Sequence, residues 1–333
     1  MNGNEIDALT LSRCSPTIPS TMSTFPTNDL YISDPSIAFL VISSLLYFVI
    51  GFVALIGNIF VIVKVYQERR LHKPTYYLIA SLAVADLLTG TVALPSGAYG
   101  RVVQNVRTCS GETHLWFFMM AFYLHCVSVM HLIAIAIDRY ICITRPLKYI
   151  SVVTPKRIAG TIAFNWVMSC SFGLVPLYSR NDQTISHCSA IAYNIIMFYT
   201  SAILPPLCLL VLSLIYWIIF RVARRQVMRI AVIERAAHGG RKPIQIHTPQ
   251  MKATKTTLLV LCVFAVCWLP ISIKFLLEIH LKTTPSTMLY LRTAFEIIAY
   301  SNAALNPFVF VFRDRNFRGV LKHHRPKHIL VSL

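Results

Sequence analysis

The chain is predicted to be an all-α membrane protein, a seven-transmembrane helix bundle, on three observations. Only 13% of its 333 residues are charged while 56% are hydrophobic, against about a quarter charged in an average soluble domain. Runs of about 20 mostly apolar residues, the length that crosses a bilayer, recur seven times along the chain. The polar stretches between them hold Lys and Arg very unevenly. With the N-terminus outside, 24 of the 31 fall on the cytoplasmic side, the bias that sets membrane topology. An outside N-terminus and a cytoplasmic C-terminus are therefore expected.

Taken in order, residues 1–36 form an extracellular segment without the basic start and apolar stretch of a cleaved signal peptide, so the first span is expected to serve as its own insertion signal. The spans fall at 37–63, 75–99, 115–137, 158–178, 190–220, 256–281 and 286–312. Pro205 and Pro206 interrupt span five, Pro270 span six and Pro307 span seven. Each proline removes a helical N–H and favours a kink there, although membrane helices tolerate proline generally. Residues 313–333 make a short tail in which Phe317, Val320 and Leu321 can share one face beside Arg315, Arg318 and Lys322.

These elements consume the chain and leave no room for a soluble catalytic domain. No nucleophile–base set or paired metal ligands emerges, so an enzyme is not expected. The net charge of +18 is explained by the topology bias and does not call for nucleic acid. Of the nine cysteines, six fall in or against spans, where a thiol is usually a small hydrophobe. Cys14, Cys109 and Cys188 lie outside, in an oxidising setting. Cys109 and Cys188 are the expected pair, with Cys14 a competitor.

Polar side chains inside the hydrocarbon cost free energy unless partnered, so they mark positions of interest. They are Asn58, Asp86, Ser128, Asn302 and Asn306. Asp86 among amide and hydroxyl oxygens suits a small cation; the other reading is interhelical hydrogen bonding. His125 and His131 read as packed residues, since no partner stands at metal-ligand spacing. At the end of span three, Asp138-Arg139-Tyr140 places an acid beside a base where the apolar run stops.

Together these residues resemble the rhodopsin-like (class A) G-protein-coupled receptors over residues 37 to about 322. The resemblance rests on Asn58, on LAVAD ending at Asp86, on Asp138-Arg139-Tyr140, on Trp166, on Cys267-Trp268-Leu269-Pro270 with Phe264, on Asn306-Pro307, and on FRDRNFR from Phe312. It implies a plasma-membrane receptor that binds an extracellular small-molecule or peptide ligand and releases GDP from a heterotrimeric G protein as span six moves outward. By resemblance Asp138, Arg139, Tyr140, Tyr216 and Phe310 form the G-protein switch, and Phe264, Trp268, Pro270, Asn306 and Pro307 the activation relay. Asp86, Ser128, Asn302 and Asn306, beside Trp268, would hold a structural sodium ion; no other cofactor is implied. The tail would form an interfacial eighth helix on anionic membrane lipids. Ser332 is its only hydroxyl, so arrestin binding through it is expected to be weak.

Several positions depart from the family pattern. Phe310 stands where a Tyr is usual, and Gln250 where many receptors place an acid against the span-three Arg. Arg139 then keeps Asp138 as its charged restraint, and basal signalling is expected. Tyr300 stands where opsins carry the retinal lysine, so a visual pigment is not implied. Ala121 replaces the acid of monoamine receptors. Phe275 replaces an Asn of the adenosine receptors, which the LAVADLLTG and SNAALNP stretches resemble. The expected ligand pocket contains Met120, Ala121, Tyr123, Phe275, Glu296 and Tyr300. Glu296 would either meet a cationic ligand or pair internally with Arg292, Lys274 or His125. The competing classes are a transporter or proton pump using Asp86 and Glu296, and a receptor that signals without a diffusible ligand. Against transport stands the absence of inverted repeats.

Overall fold

The structure, a computed structural model, describes residues 36–95, 98, 111–173, 188–237, 259, 261–274, 285–314 and 317–319. Among the described residues it is a bundle of helices without a strand. Helices occupy all seven expected spans: Ile37–Gln67, Pro74–Leu88, Gly111–Thr144, Pro155–Gly173, Cys188–Ala237, Leu261–Lys274 and Pro285–Arg313. A short loop helix, Pro146–Val152, joins spans three and four. Below, "basic end" means the end of the bundle that carries Asp138-Arg139-Tyr140.

The boundaries follow from local chemistry. Span one starts where the Ser36 side chain accepts the Phe39 N–H at 3.3 Å, an N-cap contact, and places Lys64 in its last turn, where a cation suits the carbonyl end of the helix dipole. Proline opens span two (Pro74) and the loop helix (Pro146), a position where its missing N–H has no helical acceptor to serve.

Helices outrun the apolar windows where charge, not conformation, ends the window. Span three continues from 137 to Thr144. Span five continues from 220 to Ala237, giving a helix of 50 residues, about 75 Å at 1.5 Å per residue against a hydrocarbon core of about 30 Å. Its basic-end extension carries Arg221, Arg224, Arg225 and Arg229 without a proline or glycine to stop it. Arg221 lies over the Trp217 ring, 4.7 Å from its centroid, a cation–π contact at the rim of the apolar zone.

Span two departs from the expected uninterrupted helix. Thr89–Ala93 is a π-helical stretch, and the Thr89 hydroxyl returns to the Ala85 carbonyl at 3.0 Å. The bulge lies where spans one and two touch backbone to backbone. A Cβ on Gly51 would sit 2.8 Å from the Gly90 carbonyl oxygen, and one on Gly90 3.0 Å from the Gly51 oxygen. Small residues permit such close approach between membrane helices.

The core runs along the bundle axis, and the apolar residues left exposed face outward. Ile37, Val41, Leu45, Phe48 and Phe52 of span one are all more than half exposed, as a lipid-facing stripe requires. One continuous apolar cluster runs from Phe264 to the basic end and includes Leu71, Tyr76, Ile135, Ile143, Tyr216, Phe310 and Phe317.

Candidate functional site

The polar residues of the spans gather into two groups, and an aromatic column stands above the first. At mid-bundle, Asp86 is buried on span two and accepts two hydrogen bonds, from Ser128 Oγ of span three at 2.9 Å and from Asn306 Nδ2 of span seven at 2.8 Å. One carboxylate thus joins three helices. The carbonyl oxygens Asn302 Oδ1 and Asn306 Oδ1 are buried with no partner in the structure. A carboxylate, a hydroxyl and two free amide carbonyls are hard oxygen donors, the set that suits a hydrated alkali cation. These residues fit the ion.

Asn58 makes the neighbouring contact for a specific reason. Pro307 has no N–H to offer the carbonyl four residues back, Ala303. That carbonyl instead accepts Asn58 Nδ2 at 3.0 Å, while the same amide also donates to Ala54 at 2.8 Å. The side chain from span one fills the gap the proline opens in span seven.

Above Ser128 by one turn of span three, His125 stacks on Trp268, ring centroids 3.4 Å apart. Phe264 continues the column, 6.5 Å from His125 and 6.2 Å from Trp268. His125 Nε2 and Trp268 Nε1 are buried without hydrogen-bond partners. His125 is therefore packed, as the sequence suggested, and its ring contacts are with Phe264 and Trp268, a place that its spacing to other ligand-type residues did not reveal. His131 also packs, its Nδ1 lying 2.8 Å from the Val127 carbonyl and its ring edge-on to Trp166. Among the described residues no group of three or more His, Cys, Asp and Glu stands ready for a metal ion, and Cys126, Cys142, Cys170, Cys208, Cys262 and Cys267 are free thiols.

At the basic end, Arg139 lies 3.3 Å from Asp138. Asp138 is also held by two neutral donors, Thr75 Oγ1 of span two at 2.6 Å and the Tyr149 hydroxyl of the loop helix at 2.8 Å. Burial pushes the Tyr149 phenol up to about 12, so it stays a donor throughout the physiological range. Tyr216 and Phe310 are buried in the surrounding apolar cluster, and Tyr140 is exposed. Gln250 lies outside the described residues.

The expected pocket residues lie toward the opposite end. Ala121 is buried, whereas Met120 is 44% exposed. Tyr123 shares Met120's stripe of the helix and packs 6.1 Å from the Trp166 ring of span four. Glu296 accepts the Arg292 Nε at 2.7 Å and the Tyr47 hydroxyl of span one at 3.3 Å. Tyr300 packs edge-on to Tyr47 at 6.3 Å. Of the two readings for Glu296, the internal pair with Arg292 is formed in this structure. Phe275, Cys109 and the side chain of Cys188 lie outside the described residues.

The bundle thus joins a buried polar centre, a column of His125, Trp268 and Phe264, and an Asp-Arg pair at one end. The sequence matches the 7 transmembrane receptor (rhodopsin family) over residues 57–310, and the chain belongs to that family. It is similar to adenosine receptor A2a of Equus caballus, 30% identical over 303 residues, covering 84% of this chain and 71% of the relative. Adenosine receptor A2b of Rattus norvegicus is 28% identical over 297 residues, covering 81% and 85%. Adenosine receptor A3 of Ovis aries is 28% identical over 306 residues, covering 88% and 91%. The protein is thus a multi-pass plasma-membrane receptor that binds an extracellular ligand and signals through G proteins. Family membership does not favour the transporter reading, and the relatives are receptors rather than enzymes.

Proposed function

We propose that the receptor is a ligand-biased two-state switch whose basic end is cytoplasmic and whose N-terminus is extracellular. The observation that carries this reading is the Arg139–Asp138 pair at 3.3 Å, a charge contact at the end of a buried helix that a partner's acceptor groups can compete for. Agonist in the outer half of the bundle would shift the His125–Trp268–Phe264 column. Span six would then swing about Pro270, Arg139 would leave Asp138, and the exposed cleft would admit the G protein α subunit and release GDP. The ligand acts only through its preference for one of the two states.

The relatives' name makes adenosine the first ligand to test. The pocket we infer combines Ala121, Phe275 and Tyr300, with Met120 and Tyr123 at its edge. Phe275 replaces an amide by a ring, so an adenosine-like ligand would be held here by stacking more than by hydrogen bonding. Glu296 already carries Arg292 and Tyr47, which supports an uncharged ring over a cationic group. A sodium ion at Asp86, Ser128, Asn302 and Asn306 would favour the resting state. A disulfide between Cys109 and Cys188 would tie the outer loop to the bundle. The tail would lie on anionic lipid, with arrestin capture weak.

The test is nucleotide exchange with a promiscuous G protein during a screen of nucleosides, amines, peptides and lipids. Exchange driven by a nucleoside supports the reading. Solute or ion flux without any exchange would remove it in favour of transport.

A further inference from the structure

Pro307 and Asp314 mark off a short segment at the basic end of span seven, and a different helix holds each of its boundaries. At the proline, Asn58 occupies the Ala303 carbonyl at 3.0 Å. Gly57 lies so close that a Cβ there would sit 3.0 Å from Pro307 Cβ and Cγ. With one helical hydrogen bond missing, this is where the segment bends most easily. At the other boundary the Tyr76 hydroxyl of span two donates to the Asp314 carboxylate, 3.0 Å from Oδ1 and 3.2 Å from Oδ2. Asp314 Oδ1 also accepts the Phe317 N–H at 3.2 Å. The Phe317 ring, 1% exposed, meets the Tyr76 ring edge-on at 5.8 Å. Between the boundaries Val309, Phe310 and Val311 are buried and offer apolar side chains.

The first turn of span two therefore carries two contacts on adjacent residues. Thr75 donates to Asp138, the acid that holds Arg139, at 2.6 Å, and Tyr76 donates to Asp314. The same turn grips the switch acid of span three and the end of span seven. Hydrogen bonds to carboxylates are stronger than neutral ones, so neither grip is incidental to where these helix ends rest.

We propose that Tyr76 and Asp314 form a clasp that keeps the segment beyond Pro307 in its resting position and so limits signalling without agonist. Tyr76 is a positioning residue: it touches neither ligand nor nucleotide and acts through Asp314. The clasp rests on the reading of Arg139 as the switch, because its release is felt at Asp138 through the shared turn.

Agonist-free nucleotide exchange, normalised to receptor at the membrane, tests it with Tyr76→Phe, Asp314→Asn and the double variant. Tyr76→Phe keeps the ring against Phe317 and removes the hydroxyl that donates to Asp314; Asp314→Asn decides alone should that variant not fold. Tyr76→Phe should raise exchange about tenfold or more, the low end of the range for one hydrogen bond to a charged group, and Asp314→Asn, which keeps an acceptor oxygen without its charge, should raise it less. The double variant should not exceed Tyr76→Phe, since no hydroxyl is left for the altered acceptor to meet. Wild-type exchange in both single variants, or effects that multiply in the double, would overturn the clasp. Arg139→Ala separates the two ideas. Its loss of exchange alongside a silent Tyr76→Phe defeats the clasp alone, whereas undiminished exchange in Arg139→Ala defeats the switch and the clasp with it.

Discussion

Asp138 accepts from three directions, and this sharing sets how firmly Arg139 is held. Thr75, Tyr149 and Arg139 each supply it with a donor. Removing the Tyr149 hydroxyl leaves the carboxylate less well positioned and less stabilised. Tyr149→Phe should therefore raise agonist-free exchange by about tenfold or more, one hydrogen bond to a charged acceptor, measured against wild type at equal receptor density; no change would mean that Thr75 and Arg139 position the acid without it. The sign of any pH dependence follows from the raised Tyr149 value. The bond contributes fully below the ordinary tyrosine value of 10.0 and is lost only as pH rises toward about 12. Its contribution should be flat across the physiological range, and a titration of exchange that differs between wild type and Tyr149→Phe there would contradict this. At this scale the sequence exposes the acids and hides their partners. Asp86, Ser128 and Asn306 are recognisable because a polar residue in an apolar run stands out. Thr75 and Tyr149 look like ordinary loop-edge residues until folding brings them to Asp138. Glu296 shows the limit from the other side, since an acid in a span is visible but its engagement by Arg292 and Tyr47 is not.

Among the elements, the packing of spans one, two and seven depends on glycines that composition alone does not single out. Gly51 faces the Gly90 carbonyl across the π-helical stretch, and an added Cβ would approach a backbone atom to 2.8 Å. Backbone cannot rotate away as a flexible side chain would. Gly51→Ala should lower stability by about 1–3 kcal/mol, the usual cost of overpacking, read as a lower melting temperature of purified receptor. A melting temperature equal to wild type would show that the two helices can slide apart freely. A helix lies in each of the seven apolar runs, and five of these helices are long and apolar enough to cross a membrane, because burial in lipid selects composition over about 20 residues. The runs misjudged the lengths, because a helix does not end where charge begins. Span five continues through Arg221 and Arg229, and span two bulges at Thr89 where no proline announces it.

For the whole molecule, the mid-bundle oxygens make the account dependent on ions. If a cation occupies the Asp86 group and favours the resting state, replacing sodium by a large organic cation should raise agonist affinity in wild type. Asp86→Asn should abolish that dependence, and Ser128→Ala should weaken it; a sodium effect that survives Asp86→Asn would place the ion elsewhere. The family and its G-protein coupling were legible in the order of the motifs, since each sits in its own span. The ligand was not, because the positions that define known ligand classes are replaced here by Ala121, Phe275 and Tyr300. The central claim, that Arg139 is a switch held at rest by Asp138, is tested most directly by agonist-free nucleotide exchange in wild type, Asp138→Asn and Arg139→Ala against empty membranes. The account predicts exchange above the empty-membrane control in wild type, more in Asp138→Asn, and none above control in Arg139→Ala. Wild-type exchange no higher than the control, or equal exchange in all three receptors, would contradict it.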